Sequence, residues 1–277
     1  MNKKLIFLDI DGTLTMPGKL APPESALRAI REAQERGHKV FLCTGRDYAM
    51  LEPLMHYGFD GAVGSAGGYV LCGGKVLYDM PMPNGTRDKA CRVLEEAGFV
   101  WGIECLNGVY AQEETFALMA ESRDTGSEAM RWKEAAKSDL KFRPIGEYDG
   151  APVYKLMFIG RRGADLDRVE RELGGEFFVC LQNVFAKESH IHGELINRAF
   201  DKGTGVRRIC EYLKVPIEDT VGFGDSMNDL AMLETVGTGV CMANGEEKLK
   251  EVCHMVCPAV EEDGIWKAFV QLGLIEG

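Results

Sequence analysis

Residues 3–9, KKLIFLD, carry a short unbroken apolar run that stops at an aspartate. A strand buried on both faces reads this way, and such strands sit in parallel sheets covered by helices. The following segments keep that rhythm. ESALRAIREAQERG places Leu27, Ile30 and Ala33 at helical spacing, with Glu24 at its start and Gly37 to close it. KVFLCTG (39–45) is strand-like and ends in a glycine turn, and a helix over 47–57 leads to the short run GAVGS. This alternation predicts a parallel sheet wound with helices. YVLCGGKVLY (69–78) holds two apolar runs around Gly73-Gly74, a hairpin signal.

The character changes at PMPNGT (81–86). From there to about residue 195 the pattern predicts a helix over 86–97, the strands FVWGIECL and GVYAQEE, and a polar helical stretch to about Lys137. A loop, the strand VYKLMFIG (153–160) and a helix from Asp165 to Leu173 follow, then the strands FFVCL, VFAKES and HIHGELI. Strands in adjacent pairs point to hairpins and an antiparallel sheet, an α+β domain of its own. The earlier rhythm then resumes. It gives a helix from about Thr204 to Leu213, the strand TVGFGD (220–225), the helix MNDLAMLETV, the strand TGVCMA and the helices GEEKLKEVC and GIWKAFVQLG. A parallel α/β fold interrupted by a second domain accounts for two similar halves and an unlike middle.

The 277 residues suffice for a core with an inserted domain, without disulfides or metal staples. Asp and Glu number 43 against 32 Lys and Arg, a formal charge of −11. An acidic body repels nucleic acid, so an anionic substrate must be held by local charge. The basic MNKK is followed by an apolar run that Asp9 cuts short, and no stretch approaches the ~20 apolar residues that span a bilayer. Nine cysteines without paired spacing fit a cytoplasmic protein with reduced thiols. Cys253 and Cys257 lack a second pair to complete a metal site and read as small buried residues near a helix end and a strand.

The aspartate pair in FLDIDGTLT admits two readings. Asp-Gly is a hairpin signal, so the stretch could be two strands around a turn. Alternatively, Asp9 and Asp11 lie two apart on one pleat face at the carboxyl end of a parallel strand, where open sheets bind ligands. Two carboxylates so close repel unless a cation or proton neutralises them. Further chemistry stands at other strand ends and loops: Thr44 after the second strand, Lys202 beginning a helix, and Asp225, Asn228 and Asp229 in GFGDSMNDL. Individually these could be a turn residue, a solvated lysine and an N-capping loop with Ser226 or Asp225 as cap.

Taken together, DIDGT (9–13), TGR (44–46), KG (202–203) and GDSMND (224–229) resemble, in that order, the four motifs of the haloacid dehalogenase (HAD) superfamily. Within it, the chain is similar to the Cof-type small-molecule phosphatases over most of its length, including the tail GTGVCMANGEEKLKEVC and EDGIWKAF. Many relatives carry Asn-Gly where this chain has Ala66-Gly67, which puts in question a polar contact there. The resemblance implies a Rossmann-like α/β core over 1–81 and 196–277 and an α+β cap over 82–195 that sets substrate specificity. It implies phosphoryl transfer through an aspartyl-phosphate, with Asp9 as nucleophile and Asp11 as general acid and then base. Crowding by Asp9, Asp225 and Asp229 should favour a protonated Asp11. Mg²⁺ would be held by the Asp9 carboxylate, the Asp11 backbone carbonyl and the Asp225 carboxylate, with Asp229 acting directly or through water. Lys202, Thr44, the Gly45 region and Asn228 would bind the phosphoryl group.

The expected substrate is a small phosphorylated metabolite, a sugar phosphate or similar, with no nucleic-acid or membrane partner and a monomeric or weakly dimeric state. A phosphomutase and a non-catalytic phosphate-ligand binder are the alternatives. In the cap, Trp101, Glu104, Asn107, Tyr110, Trp132 and His190 are candidates for substrate contact, although Trp101 and Tyr110 also read as sheet-packing aromatics. His190 and His192 share a strand face but lack acids at suitable spacing for a metal pair.

Overall fold

A computed structural model describes residues 3–17, 19, 21–121, 142–182 and 190–277. The chain divides into two compact units. One comprises Met1–Arg46, Leu51–Asp79 and Phe200–Gly277; the other comprises Asp47–Met50 and Met80–Ala199.

In chain order the first unit begins with β1 (Leu5–Leu8), α1 (Glu24–Glu35) and β2 (Lys39–Cys43), and α2 (Tyr48–Met55) leads to β3 (Gly61–Gly64), β4 (Tyr69–Cys72) and β5 (Lys75–Asp79). The second unit contributes α3 (Asn84–Glu96), β6 (Phe99–Cys105), β7 (Gly108–Ala111), α4 (Glu113–Glu121), β8 (Phe142–Pro144), β9 (Val153–Arg161), α5 (Leu166–Leu173), β10 (Phe177–Gln182) and β11 (His190–Asn197). The first unit resumes with α6 (Lys202–Leu213), β12 (Thr220–Gly224), α7 (Leu230–Thr235), β13 (Thr238–Met242), α8 (Glu247–Val252), β14 (Met255–Cys257) and α9 (Gly264–Gln271).

The first unit is built on a sheet ordered β14-β13-β12-β1-β2-β3-β4-β5. Pairings from β14 to β3 are parallel, and β4 and β5 add antiparallel as the expected hairpin. Period-two alternation sends Ile6 and Leu8 into one apolar layer with Val40, Leu42, Phe223 and the α1 and α9 side chains Ile30 and Phe269. Leu5 and Phe7 go into the opposite layer with Phe41, Val63 and the α6 and α7 side chains Val206, Ile209 and Leu233. Each central strand is thus buried on both faces, which is why LIFL reads as a continuous apolar run. The last strand, β14, lies within a stretch given no strand by pattern alone; three residues are too short for a periodicity signal.

The second unit is an α+β body with sheet order β10-β11-β9-β6-β7-β8. All its pairings are antiparallel except β7 with β8, which is parallel. α3 and α5 cover one face, packing Ala90, Leu94, Val169 and Leu173 against Phe99, Ile103, Leu156, Phe158 and Leu195. Two expectations are corrected here. β8 occupies residues assigned to a loop, its three residues ending in a proline tolerated at a sheet edge. GVYAQEE is strand only to Ala111, since Glu113 and Glu114 already form the acidic first turn of α4. The helical stretch beyond Glu121, Trp132 and the strand VFAKES lie outside the described residues.

After β3 the chain turns through Ser65 (φ 49°), Ala66 (φ 55°) and Gly67 (φ 107°). Ala66 N–H donates to the Thr44 carbonyl at 3.0 Å and Ser65 N–H to the Arg46 carbonyl at 2.8 Å, so this left-handed turn braces the end of β2. A left-handed alanine costs about 1–2 kcal/mol, of which the greater unfolded-state freedom of glycine offsets part. Ala66→Gly is therefore expected to raise the unfolding free energy by about 0.5–1 kcal/mol in urea titration. A loss of stability would show that the turn carries no such strain.

Candidate active site

The site grows out of strand register. Leu8 of β1 stands opposite Phe223 of β12 and Leu42 of β2, so three parallel strands end side by side. Asp9, Thr44 and Asp225 leave those ends, and Asp9 N–H still donates to the Phe223 carbonyl at 3.0 Å. Beyond Leu8 the chain is no longer extended, so the pleat does not set the direction of Asp11. Instead the Ile10 carbonyl accepts from Leu14 N–H at 3.0 Å and Thr15 N–H at 2.8 Å, folding DIDGT into a tight turn. The hairpin reading of Asp-Gly is thereby overturned, because β1 pairs on both sides with parallel strands.

Gly12 has φ +89°, and a Cβ there would lie 2.4 Å from Asp225 Oδ2. Only glycine lets the two loops approach so closely. Thr13 Oγ1 donates to Asp225 Oδ1 at 2.8 Å, and Asn244 Nδ2 donates to the Gly12 carbonyl at 2.8 Å. Thr13 and Asn244 gained no role from sequence alone, since nothing in their spacing shows this long-range contact.

Lys202 is the first residue of α6, which starts on a reciprocal cap. Asp201 Oδ1 accepts from Thr204 N–H at 2.6 Å, and Thr204 Oγ1 accepts from Asp201 N–H at 2.9 Å. The buried Lys202 ammonium donates to Asp9 Oδ1 at 2.7 Å, Asp229 Oδ1 at 2.5 Å and Asn228 Oδ1 at 3.1 Å. The other oxygen of Asp229 accepts from Asp225 N–H at 3.0 Å and Ser226 N–H at 3.1 Å. Asp229 therefore shapes the loop and orients the lysine at once. The loop has the N-cap geometry at Ser226 that the capping reading of GDSMND expects. Thr44 Oγ1 accepts from Arg46 N–H at 3.2 Å, and Gly45 follows in the same turn.

Arg46, in the TGR motif, is another residue assigned no role by pattern. Its Nε donates to Asp11 Oδ2 at 2.8 Å and its Nη2 to Asp11 Oδ1 at 2.7 Å. Asp11 is thus paired with a cation, where crowding by acids alone was expected. The signal for Arg46 lay in TGR itself, but a sequence does not show which carboxylate an arginine will meet.

Burial, reinforced by Asp229 and only partly offset by Lys202, pushes the Asp9 carboxyl up to about 7. Burial, then Asp9 and Asp229, push Asp225 well above the usual carboxylate range, against the Thr13 hydrogen bond. For Lys202, burial works downward but Asp229 and Asp9 outweigh it and hold the ammonium well above its ordinary value. Four carboxylates (Asp9, Asp11, Asp225, Asp229) face two cations (Lys202, Arg46), an imbalance that one divalent ion would cancel. Carboxylate oxygens of Asp9, Asp225 and Asp229 lie within 4.8 Å of one another, all buried. An all-oxygen donor set of this charge fits a hard dication.

In the second unit, Trp101 Nε1 donates to Glu95 Oε1 at 3.0 Å, and the buried Tyr110 packs edge-on against Tyr148 at 5.3 Å. Both serve as packing aromatics there. Asn107 Nδ2 donates to Asp149 Oδ2 at 3.1 Å. Glu104 is fully buried, 3.0 Å from Lys155 Nζ, which also meets Glu194 at 2.7 Å. His190 Nε2 lies 3.7 Å from Glu121. Asp9, Asp225 and Asp229 form the only three-residue group of metal-ligating side chains among the described residues. All nine cysteines are free, with Cys253 at the end of α8 and Cys257 in β14. Among the described residues, no helix is long and apolar enough to cross a membrane.

A wound α/β sheet with carboxylates and a buried lysine at its strand ends, interrupted by an α+β unit, defines a class of hydrolase. The haloacid dehalogenase-like hydrolase family model matches residues 6–269. The chain belongs to that family, in its Cof-type branch, and is a phosphoric monoester hydrolase of the HAD type. It is 29% identical to YkrA of Bacillus subtilis over 279 residues, spanning 100% of both chains. It is 26% identical to pyridoxal phosphate phosphatase YbhA of Escherichia coli over 277 residues, 92% of this chain and 93% of that one. A solved structure of a hypothetical protein from Geobacillus kaustophilus superposes with a TM-score of 0.81 at 26% identity, covering 99% of this chain and 100% of that one.

Removing one partner of a buried ion pair strands the other charge at a cost of roughly 3–5 kcal/mol. Lys202→Met should lower the unfolding free energy by about that amount, and Lys202→Met/Asp229→Asn should recover part of it; urea titration of both variants checks this. A second prediction concerns pH. Asp9 binds its proton more tightly folded than at its ordinary value of 3.8, so without divalent ions its contribution to stability falls as pH rises from 3.8 to about 7. The melting temperature of Asp9→Asn relative to wild type should therefore climb across that window in chelator-treated buffer. A flat difference would exclude the upward shift.

Proposed function

We propose that the protein is a Mg²⁺-dependent phosphatase of small phosphorylated metabolites, sugar phosphates or similar, acting through a phosphorylated Asp9. The observation that carries this is the placement of Asp9 at the end of a central strand, with its oxygen fixed 2.7 Å from the Lys202 ammonium and Asp225 beside it. A binder of phosphate esters gains nothing from an oriented carboxylate among repelling acids; a nucleophile does.

Lys202 orients Asp9 and offers positive charge to the incoming dianion, while Thr44, the Gly45 region and Asn228 present hydrogen-bonding groups to the phosphoryl oxygens. Each unscreened carboxylate–phosphate contact at 4 Å would cost roughly 4 kcal/mol at an effective dielectric near 20. The Asp9 and Asp225 carboxylates and the Asp11 carbonyl would hold the metal, with Asp229 acting on it directly or through water while fixing the Asp225 loop. When bound there, Mg²⁺ would neutralise charge and polarise the phosphoryl oxygens. Asp9 attacks phosphorus as the leaving alkoxide takes a proton from Asp11; water then attacks phosphorus, the bond to Asp9 breaks, and Asp11 takes the proton.

The α+β unit, residues 82–195 as bounded by pattern, is assigned to substrate choice. The name of the E. coli relative, a pyridoxal phosphate phosphatase, supports a small phosphorylated metabolite as the substrate class. Nine free cysteines support a cytoplasmic protein, which we assign as a monomer or weak homodimer without nucleic-acid or membrane partners.

Asp9→Asn is expected to lower kcat by at least about 10³-fold with the fold retained by circular dichroism. EDTA should abolish phosphate release and Mg²⁺ restore it, measured across a panel of phosphorylated metabolites ranked by kcat/KM. Isomerised phosphate with little inorganic phosphate would indicate a mutase. Binding without release would indicate a silent binder.

A further inference from the structure

Arg46 makes a two-point contact with Asp11. Its guanidinium and the Asp11 carboxylate are 4% and 8% exposed, joined by two parallel hydrogen bonds. Paired bonds fix the plane of a carboxylate as well as its position, which a lysine's point charge does not. Arg46 is itself braced: its N–H donates to Thr44 Oγ1 at 3.2 Å, and its carbonyl accepts from Ser65 N–H at 2.8 Å. The brace thus runs from the end of β2 and the left-handed turn after β3, through Arg46, to Asp11.

Both Asp11 oxygens accept from the guanidinium. The paired arrangement therefore fixes both where the Asp11 carboxylate sits and which way it faces. We propose that Arg46 is a positioning residue that holds Asp11 as an oriented base for the second half-reaction. There, the water oxygen bonds to phosphorus, the bond from phosphorus to Asp9 breaks, and the water's proton passes to Asp11. This rests on the phosphatase reading above.

The test uses 4-nitrophenyl phosphate, whose leaving group departs without a proton, in stopped flow with Mg²⁺. Arg46→Lys and Arg46→Met should release about one equivalent of 4-nitrophenol per site in a fast phase near the wild-type rate. A steady state slowed about 10–100-fold, with KM changed less than about threefold, should follow. A double-mutant cycle separates action through Asp11 from direct action. In an Asp11→Asn background, where both buried charges are removed together, Arg46→Met should cost less than about twofold more. Equal slowing of both phases, or the full cost persisting on Asp11→Asn, would overturn the assignment and place Arg46 on the phosphoryl group or in the scaffold. Wild-type protein that releases no 4-nitrophenol would instead overturn the phosphatase reading, and the role of Arg46 with it.

Discussion

A single buried ammonium organises the site. Lys202 bonds to Asp9 from the first strand and to Asp229 from the loop after β12, joining segments 193 and 27 residues away in sequence. It does so from the N-terminus of α6, where the helix dipole disfavours a cation. The Asp201–Thr204 cap secures the helix start, and the two carboxylates offset the dipole. A local rule is broken where function gains from it, as expected of a site that must place charge rather than minimise energy.

The scaffold that makes this possible is the register of three parallel strands. Because β12, β1 and β2 run the same way and stop together, groups carried on separate segments emerge at one edge. The main segment of the second unit, Met80–Ala199, enters between β5 and α6 without disturbing that register. Loop-closure cost rises only logarithmically with length, so a whole folded body can be accommodated between neighbouring elements.

Charge balance explains much of the remaining detail. Four acids and two bases in a buried cluster leave an excess of negative charge, which the upward shifts of Asp9 and Asp225 reflect. Close packing sharpens the effect, since Gly12 admits Asp225 to within contact of the turn bearing Asp11. The second unit has a smaller counterpart in Lys155, buried between Glu104 and Glu194. There too the ammonium is what makes acid burial tolerable.

The order of elements, the hairpin at Gly73-Gly74 and the α+β character of the middle could be read from pattern, because strand, helix and turn preferences act over a few residues; Asp9, Asp225 and Lys202 stood out as candidates by their place at strand ends and a helix start, and their roles came from the resemblance of their motifs. β8 and β14 could not, since three residues carry no period. By itself the sequence determined which segments are buried strands and which residues can hold charge. Only the tertiary structure decided that Arg46 closes on Asp11, that Asp229 both shapes a loop and orients Lys202, and that Thr13 and Asn244 fix the DIDGT turn. Such pairings depend on distances between remote segments, and electrostatic energy follows those distances rather than positions along the chain.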